Sequence, residues 1–294
     1  MHPDRWYQDY QDFDYRGHRV LYRYRRGGGR HPTLLVHGFP TASWDWHPIW
    51  DDLPGPLITF DMMGFGYSAK PSGYDYSLMD QADLAQALCS HLGVDRVHLL
   101  AHDYGDTVAQ ELLVRGAEGG LTIESCYLLN GGIIPGEHRA KPIQKLLAGP
   151  LGGLVAALMS ESRFRKTFSD IFGPETQPGD RELNACWQLI EKHRGRRVMP
   201  ALSRYQHERR RHRDRWVRGL AETSVPCRAL IGSMDPISGA HMATALGRLC
   251  PNVELAELPR IGHYPQLEAP DQVLADYLAF RQRLSASPAT DDSA

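Results

Sequence analysis

Residues 97–113 read VHLLAHDYGDTVAQELL, and this stretch decides the fold. The apolar run Val97-His98-Leu99-Leu100 has the length and composition of a buried strand, and Val108, Leu112 and Leu113 then recur at helical spacing. Between them stand Ala101-His102-Asp103-Tyr104-Gly105. Strand, sharp turn and helix, with a small residue two places before and two places after a reactive side chain, is the context of a nucleophile elbow. A larger substituent at either flank would collide with its neighbours in so tight a turn, a demand that Ala101 and Gly105 meet. The residue at the nucleophile position is an aspartate, Asp103, rather than a serine.

Outward from this stretch, residues 33–36 and 56–60 read as short buried strands, ending in His37-Gly38-Phe39-Pro40 and in Asp61-Met62-Met63-Gly64-Phe65-Gly66. Residues 13–24 alternate polar and apolar around Arg16-Gly17-His18, as a hairpin does. Gly27-Gly28-Gly29 is followed by no Gly-Lys-Ser/Thr, and the glycines near residue 65 lack a third partner and a helix start, so neither is a nucleotide loop. Ser77 and Asp80 cap a helix running to about residue 92. Residues 125–129 form a further strand. From Ile133 to about Glu222 the β-branched runs give way to Leu- and Arg-rich helical sequence broken by Pro150, Pro174, Pro178 and Pro200. Strands resume at 228–231 and 253–258, with helices at 239–249 and 270–284 and a disordered tail expected beyond.

Strands alternating with helices imply an α/β fold, a mostly parallel twisted sheet flanked by helices. The expected division is a core over 1–132 and 223–285, a helical cap over 133–222, and a tail over 286–294. An insertion there would lie over the carboxyl ends of the strands, where open α/β sheets bind ligands.

The chain has 294 residues and a net charge of −2, which fits one large domain with an insertion and provides no global field for nucleic acid. Its five cysteines are scattered, with no Cys-x-x-Cys pair, and read as reduced structural thiols. The first residues are too charged for a signal peptide. The uncharged run 146–159 is 14 residues long and contains Pro150 and three glycines, too short and too broken to span a bilayer. A cytoplasmic protein without a membrane span is expected, as monomer or homodimer.

Asp103, Asp235 and His263 each follow a strand and fall in the order nucleophile, acid, histidine of an α/β-hydrolase triad. Any one alone has an ordinary structural explanation, a helix cap for an aspartate or a satisfied core site for a histidine. Their joint order, behind an elbow with small flanks and after a His-Gly-x-Pro turn, points to catalysis. Asp106 falls in the first helical turn, where it suits the helix dipole. Asn130 ends the other strand that could supply the acid but is not a carboxylate, which leaves Asp235.

On these residues the chain resembles the α/β-hydrolase branch of epoxide hydrolases and haloalkane dehalogenases, which share an aspartate nucleophile. It is particularly similar to the epoxide-hydrolase-like mesoderm-specific transcript proteins. The similarity rests on HDYGDTVAQELL (102–113), LNGGIIPGEHR (129–139), QKLL (144–147), FGP (172–174) and HYPQLE (263–268), and extends from about residue 13 to 280. Two positions depart from better-defined relatives: Tyr104 replaces a tryptophan, and Phe39 replaces the asparagine with which many dehalogenases hold halide.

The resemblance implies displacement at an sp³ carbon by the Asp103 carboxylate, giving an alkyl ester. His263, oriented by Asp235, then activates water against that ester. The backbone N–H groups of Phe39 and Tyr104 form the oxyanion hole, where one donor contributes about 3–4 kcal/mol. Neither metal nor organic cofactor is required, and no His-Glu-x-x-His occurs. Tyr205 resembles one of two proton-donating cap tyrosines of epoxide hydrolases. His37, His102 and Trp187 are further residues assigned to the substrate and leaving-group side, and Trp216 is a second indole able in principle to hold halide. The seven arginines between 204 and 218 read as a solvated helix face. Three readings stand: a hydrolase of small apolar epoxides, the same apparatus acting on haloalkanes, and a non-catalytic binding protein on a hydrolase scaffold. The intact triad favours the first two.

Overall fold

The computed structural model of the chain describes residues 1–286. Eight strands form one sheet: β1 (Gln11–Tyr15), β2 (His18–Arg25), β3 (Thr33–Val36), β4 (Leu57–Phe60), β5 (Arg96–His102), β6 (Thr122–Leu129), β7 (Cys227–Gly232) and β8 (Glu254–Leu258). Their order is β1-β2-β4-β3-β5-β6-β7-β8. β2 pairs antiparallel with β1 and with β4, and every pairing from β4 to β8 is parallel.

The β1–β2 hairpin closes through Arg16 and Gly17, whose φ values of 53° and 79° match the mirror-image turn that suits strand twist. β5 occupies the middle of the sheet. Leu99 and Leu100 pair with Leu34 and Leu35 on one side and with Cys126 and Tyr127 on the other, all buried. These strands are apolar without alternation because helices cover both faces.

Among those helices, α1 (Pro3–Trp6) opens the chain, and α2 (Leu78–His91) starts where the Ser77 hydroxyl accepts the Asp80 N–H (3.0 Å). α3 (Tyr104–Ala117) follows β5 directly. Seven α-helices and one 3-10 helix (Lys192–Val198) are inserted between β6 and β7: α4 (Pro142–Ala148), α5 (Gly152–Ala157), α6 (Glu161–Ser169), α7 (Asp180–Glu191), α8 (Met199–Leu202), α9 (Tyr205–Arg211) and α10 (Arg213–Glu222). α11 (Ala240–Leu249), α12 (Pro265–Glu268) and α13 (Pro270–Ala286) complete the fold. Ser285 and Ala286 belong to α13 and do not open a tail; the rest of the expected tail lies outside the described residues.

The last inserted helix is held to the sheet-flanking layer. Trp216 on α10 donates its indole N–H to Glu111 Oε2 on α3 (2.8 Å), and Arg215 pairs with the same carboxylate (2.9 Å). Composition does not reveal this, because an amphipathic helix reads alike whether it covers a sheet or a pocket. All five cysteines are free and buried. Among the described residues no helix is long and apolar enough to cross a membrane.

Candidate active site

β5 ends at His102, and the chain turns within Asp103 (φ 49°, ψ −103°) to enter α3. A positive φ costs a residue bearing a Cβ about 1–3 kcal/mol and persists where its surroundings enforce it. Here the Asp103 N–H donates to Leu129 O on β6 (3.1 Å). The turn is as tight as the small flanking residues imply. A Cβ on Gly105 would lie 2.3 Å from the Val36 carbonyl oxygen, so only glycine lets α3 approach the end of β3 this closely.

The Asp103 carboxylate is 2% exposed. Phe39, in the turn after β3, donates its N–H to Asp103 Oδ2 (3.1 Å). His263 Nε2 stands 3.9 Å from the same oxygen, and His263 Nδ1 is 2.7 Å from Asp235 Oδ2. Asp103, Asp235 and His263 thus meet at the carboxyl ends of β5, β7 and β8. Asp235 is fixed by the Ile237 N–H to Oδ1 (2.7 Å) and by the Asn130 amide to Oδ2 (3.1 Å). Asn130, at φ 42°, also accepts the Gly232 N–H (2.7 Å), so the residue set aside as the acid is the clamp that orients it.

Glu268 on α12 organises the histidine loop. Its carboxylate accepts the backbone N–H groups of Gly173 and Gly262 (both 2.8 Å) and of Tyr264 (2.9 Å), besides the Thr176 hydroxyl (2.6 Å). Removing it leaves three amides without their acceptor, at roughly 1–3 kcal/mol for each that stays buried. Glu268→Ala is therefore expected to destabilise the fold by about 3 kcal/mol or more. Urea unfolding checks this: a midpoint equal to wild type would remove Glu268 from that role.

Burial pushes the Asp103 carboxyl up, but the His263 imidazole and the Arg209 guanidinium outweigh it and hold the group well below the usual carboxylate range. For His263, burial acts downward while Asp235 and Asp103 act upward and prevail, raising it to about 10. Each group thus favours the charged form of the other. Asp106, one turn beyond Asp103, is fully buried with Oδ2 unpartnered, and burial together with Asp103 raises its pKa well above the normal range. Its other oxygen, Oδ1, accepts the Leu129 N–H (3.4 Å), so the carboxyl is tied to the end of β6.

Tyr104 opens α3, so its N–H is among the first-turn amides that lack an intrahelical partner. Its buried ring packs 5.2 Å from that of Tyr205, which also stands 5.8 Å from Phe39. The Tyr205 side chain is 1% exposed, its hydroxyl has no partner, and burial pushes its pKa well up. Arg209, one turn later on α9, lies 4.5 Å over the Tyr205 ring. It donates through Nη2 to Asp103 O (2.8 Å) and through Nε to Thr107 (2.8 Å), and Nη2 is 3.8 Å from Asp103 Oδ1. Arg204, Arg210, Arg211 and Arg218 are exposed as a solvated face requires, whereas Arg209 is buried and Arg215 is paired with Glu111. A basic run in sequence does not show which of its members turns inward.

Of four residues assigned to the substrate side, His37, His102 and Trp216 have ring nitrogens engaged by protein groups. His37 accepts the Met62 N–H at Nε2 (3.0 Å) and donates from Nδ1 to Gly38 O (2.8 Å), and burial lowers it to about 4. His102 donates from Nε2 to His263 O (2.8 Å) and is likewise lowered to about 4, by burial and then by His263. Both are fully buried braces for loops of the site. Trp187 packs against Phe164 (5.5 Å) beneath Arg196 (5.6 Å), and the Trp216 indole N–H is engaged by Glu111.

A cavity of about 80 Å³ opens beside His263, lined chiefly by apolar side chains that include Phe39, Ile143, Leu147, Phe164 and Ile237. A larger open groove of about 1130 Å³, at the amino ends of β3 and β5, is lined by Thr33, Arg96 and Arg281 and contains none of the triad. Among the described residues no group of three or more His, Cys, Asp or Glu side chains forms a metal site.

A sheet of this order, with an acidic residue on the turn after its central strand and a histidine–carboxylate pair beside it, defines an α/β hydrolase. The chain matches the alpha/beta hydrolase family over residues 33–276 and belongs to it. It is 40% identical to the mesoderm-specific transcript protein of Mus musculus over 282 residues, covering 91% of this chain and 84% of that one. It is 38% identical to a putative hydrolase, LipZ, of Mycobacterium tuberculosis, covering 84% of this chain and 87% of the relative. Among solved structures, the fold is similar to haloalkane dehalogenase DatA of Agrobacterium tumefaciens (TM-score 0.78, 20% identity, 94% and 96% covered). It is also similar to epoxide hydrolase CorEH (TM-score 0.76, 20% identity, 94% and 99% covered).

Proposed function

We propose that this protein is a hydrolase that acts at an sp³ carbon through an alkyl ester of Asp103, with small apolar epoxides as substrates. The observation that carries the proposal is a carboxylate at the elbow with one oxygen on the Phe39 N–H and His263 beside it. A serine oxygen suits acyl carbon, whereas a carboxylate suits displacement at a carbon bearing a leaving group. With Oδ2 held by Phe39, Oδ1 is the attacking atom and Oδ2 becomes the ester carbonyl oxygen. The Phe39 N–H, joined by that of Tyr104, then faces the oxyanion that forms when water attacks.

The helical segment 133–222 is read as a cap, with α9 as its working element. Opening an epoxide produces an alkoxide that needs a proton, and the unpartnered Tyr205 hydroxyl is the donor proposed here. The pocket beside His263 suits a small apolar group. Carbon–halogen hydrolysis by the same nucleophile is the alternative; the engagement of the Trp216 indole by Glu111 weighs against it.

Isotope labelling tests the ester directly. In a single turnover in ¹⁸O-labelled water, label is expected in the Asp103 carboxylate, because water attacks the ester carbonyl and not the substrate carbon. Label found only in the diol product would mean direct attack by water and would sink the assignment of the nucleophile.

A further inference from the structure

Six large apolar side chains are exposed among the described residues, and four of them lie on α4, α5 and their flanks: Leu146, Leu151, Leu154 and Leu158, each 54–65% exposed. Their spacing over the last three puts them on one side of the α5 turn, facing water. The opposite side of α5 is buried through Gly152 and Ala156, and Leu147 and Met159 on either flank are buried as well. Leu147 and Met159 also line the cavity beside His263. The water-facing leucines are thus adjacent in the chain to residues that line the pocket. A scattered exposed leucine needs no explanation, whereas a grouped apolar face marks a surface that meets something apolar.

Charge indicates what that is. From His138 to Ser160 the chain carries Arg139, Lys141 and Lys145 and no acidic residue. Lys145, next to Leu146, lines a cavity of about 300 Å³ with His138, Arg139, Gln206, Arg209 and Arg210, and no carboxylate lines it. Arg139, Lys145 and Arg210 are exposed and, among the described residues, form no ion pair. Arg209 Nη1 and both ring nitrogens of His138 are buried without partners at this cavity. The neighbouring Glu137 faces Arg248 (4.0 Å).

We propose that this face docks on an anionic phospholipid surface, with the α4–α5 leucines in the acyl layer and the cationic cavity taking a lipid phosphate. Short amphipathic helices that lie in the interface combine these two features, whereas the same face of a second copy would set Arg139, Lys145 and Arg210 against like charges. Docked in this way, the pocket beside His263 would open toward the membrane, from which an apolar substrate could enter. That last clause rests on the proposed reaction; the docking does not, and it is read by binding and not by turnover.

The test is flotation of the full-length protein with vesicles of phosphatidylcholine alone and with equimolar phosphatidylglycerol. Binding is expected to the anionic vesicles and to weaken as salt is raised. Leu154→Ser with Leu158→Ser should weaken it by at least about tenfold. Lys145→Ala with Arg210→Ala should weaken binding to anionic vesicles by about tenfold or more and leave that to neutral vesicles unchanged. Because the five native cysteines are buried, Leu154→Cys can be labelled selectively with an environment-sensitive dye, whose emission should shift blue on vesicle addition. Wild-type protein that stays with the aqueous phase, or a dye that does not respond, would overturn the proposal. So would a concentration-dependent dimer that the leucine substitutions abolish, which would assign the face to a second copy.

Discussion

Replacing His263 with glutamine is expected to leave the protein able to attack its substrate but unable to release it. Asp103 owes its charge to several neighbours, because Arg209 and the Phe39 N–H also favour the ionised carboxylate. Glutamine retains a polar side chain beside Asp235 but cannot take a proton from water. General-base assistance contributes on the order of 10²–10⁴ in rate, so hydrolysis of the ester should slow by at least that factor and the alkylated protein should accumulate. Intact mass after substrate addition reads the adduct. A correctly folded His263→Gln protein that forms none would show that His263 is needed for the first step as well.

The same histidine sets the pH dependence. In the resting protein, Asp235 and Asp103 hold His263 protonated up to about 10. Alkylation neutralises Asp103 and removes one of the two carboxylates, so the imidazole of the ester intermediate has a lower pKa than that of the free protein. The neutral ring is the base. Single-turnover ester hydrolysis should therefore rise with pH and level off below pH 10, while alkylation, which needs the ionised Asp103 and the protonated Tyr205, should stay flat across the neutral range. Hydrolysis that instead falls as pH rises would contradict the base assignment.

Tyr205→Phe carries the second large effect. The phenol is buried, unpartnered and kept protonated by its surroundings, and it lies on the helix that also delivers Arg209 to the Asp103 backbone. An alkoxide leaves poorly without a proton, so losing the donor should depress epoxide opening about 10²–10⁴-fold. A halide leaves as a stable anion, so any haloalkane turnover should stay within several-fold because the ring and its packing against Phe39 and Tyr104 are retained. The readout is the rate of Asp103 alkylation in each case. Equal rates of alkylation by an epoxide in wild type and variant would remove Tyr205 from the reaction. Wild-type protein inert to epoxides but releasing halide would favour the dehalogenase reading.

Most of the sheet was legible because its signals are local. An apolar run flanked by turn residues describes β3, β5 and β7 wherever it is read, and small residues around Asp103 announce a tight turn before any neighbour is known. The chain order of Asp103, Asp235 and His263 pointed to a triad for the same reason. What the sequence could not decide is which polar side chains turn inward, because burial depends on what packs against a residue from elsewhere in the chain. Arg209 looked like one member of a solvated run, yet α9 docks where the Asp103 carbonyl and Thr107 can accept from it. His37 and His102 looked like substrate contacts, yet each has a ring nitrogen committed to a backbone group and stands behind the site. Asn130 is set aside as the acid for lacking charge, and its amide donates to Asp235. Local sequence determined strands, turns and the presence of a carboxylate at the elbow; only tertiary packing decided the electrostatics around it, because each of those fields comes from groups distant in the chain.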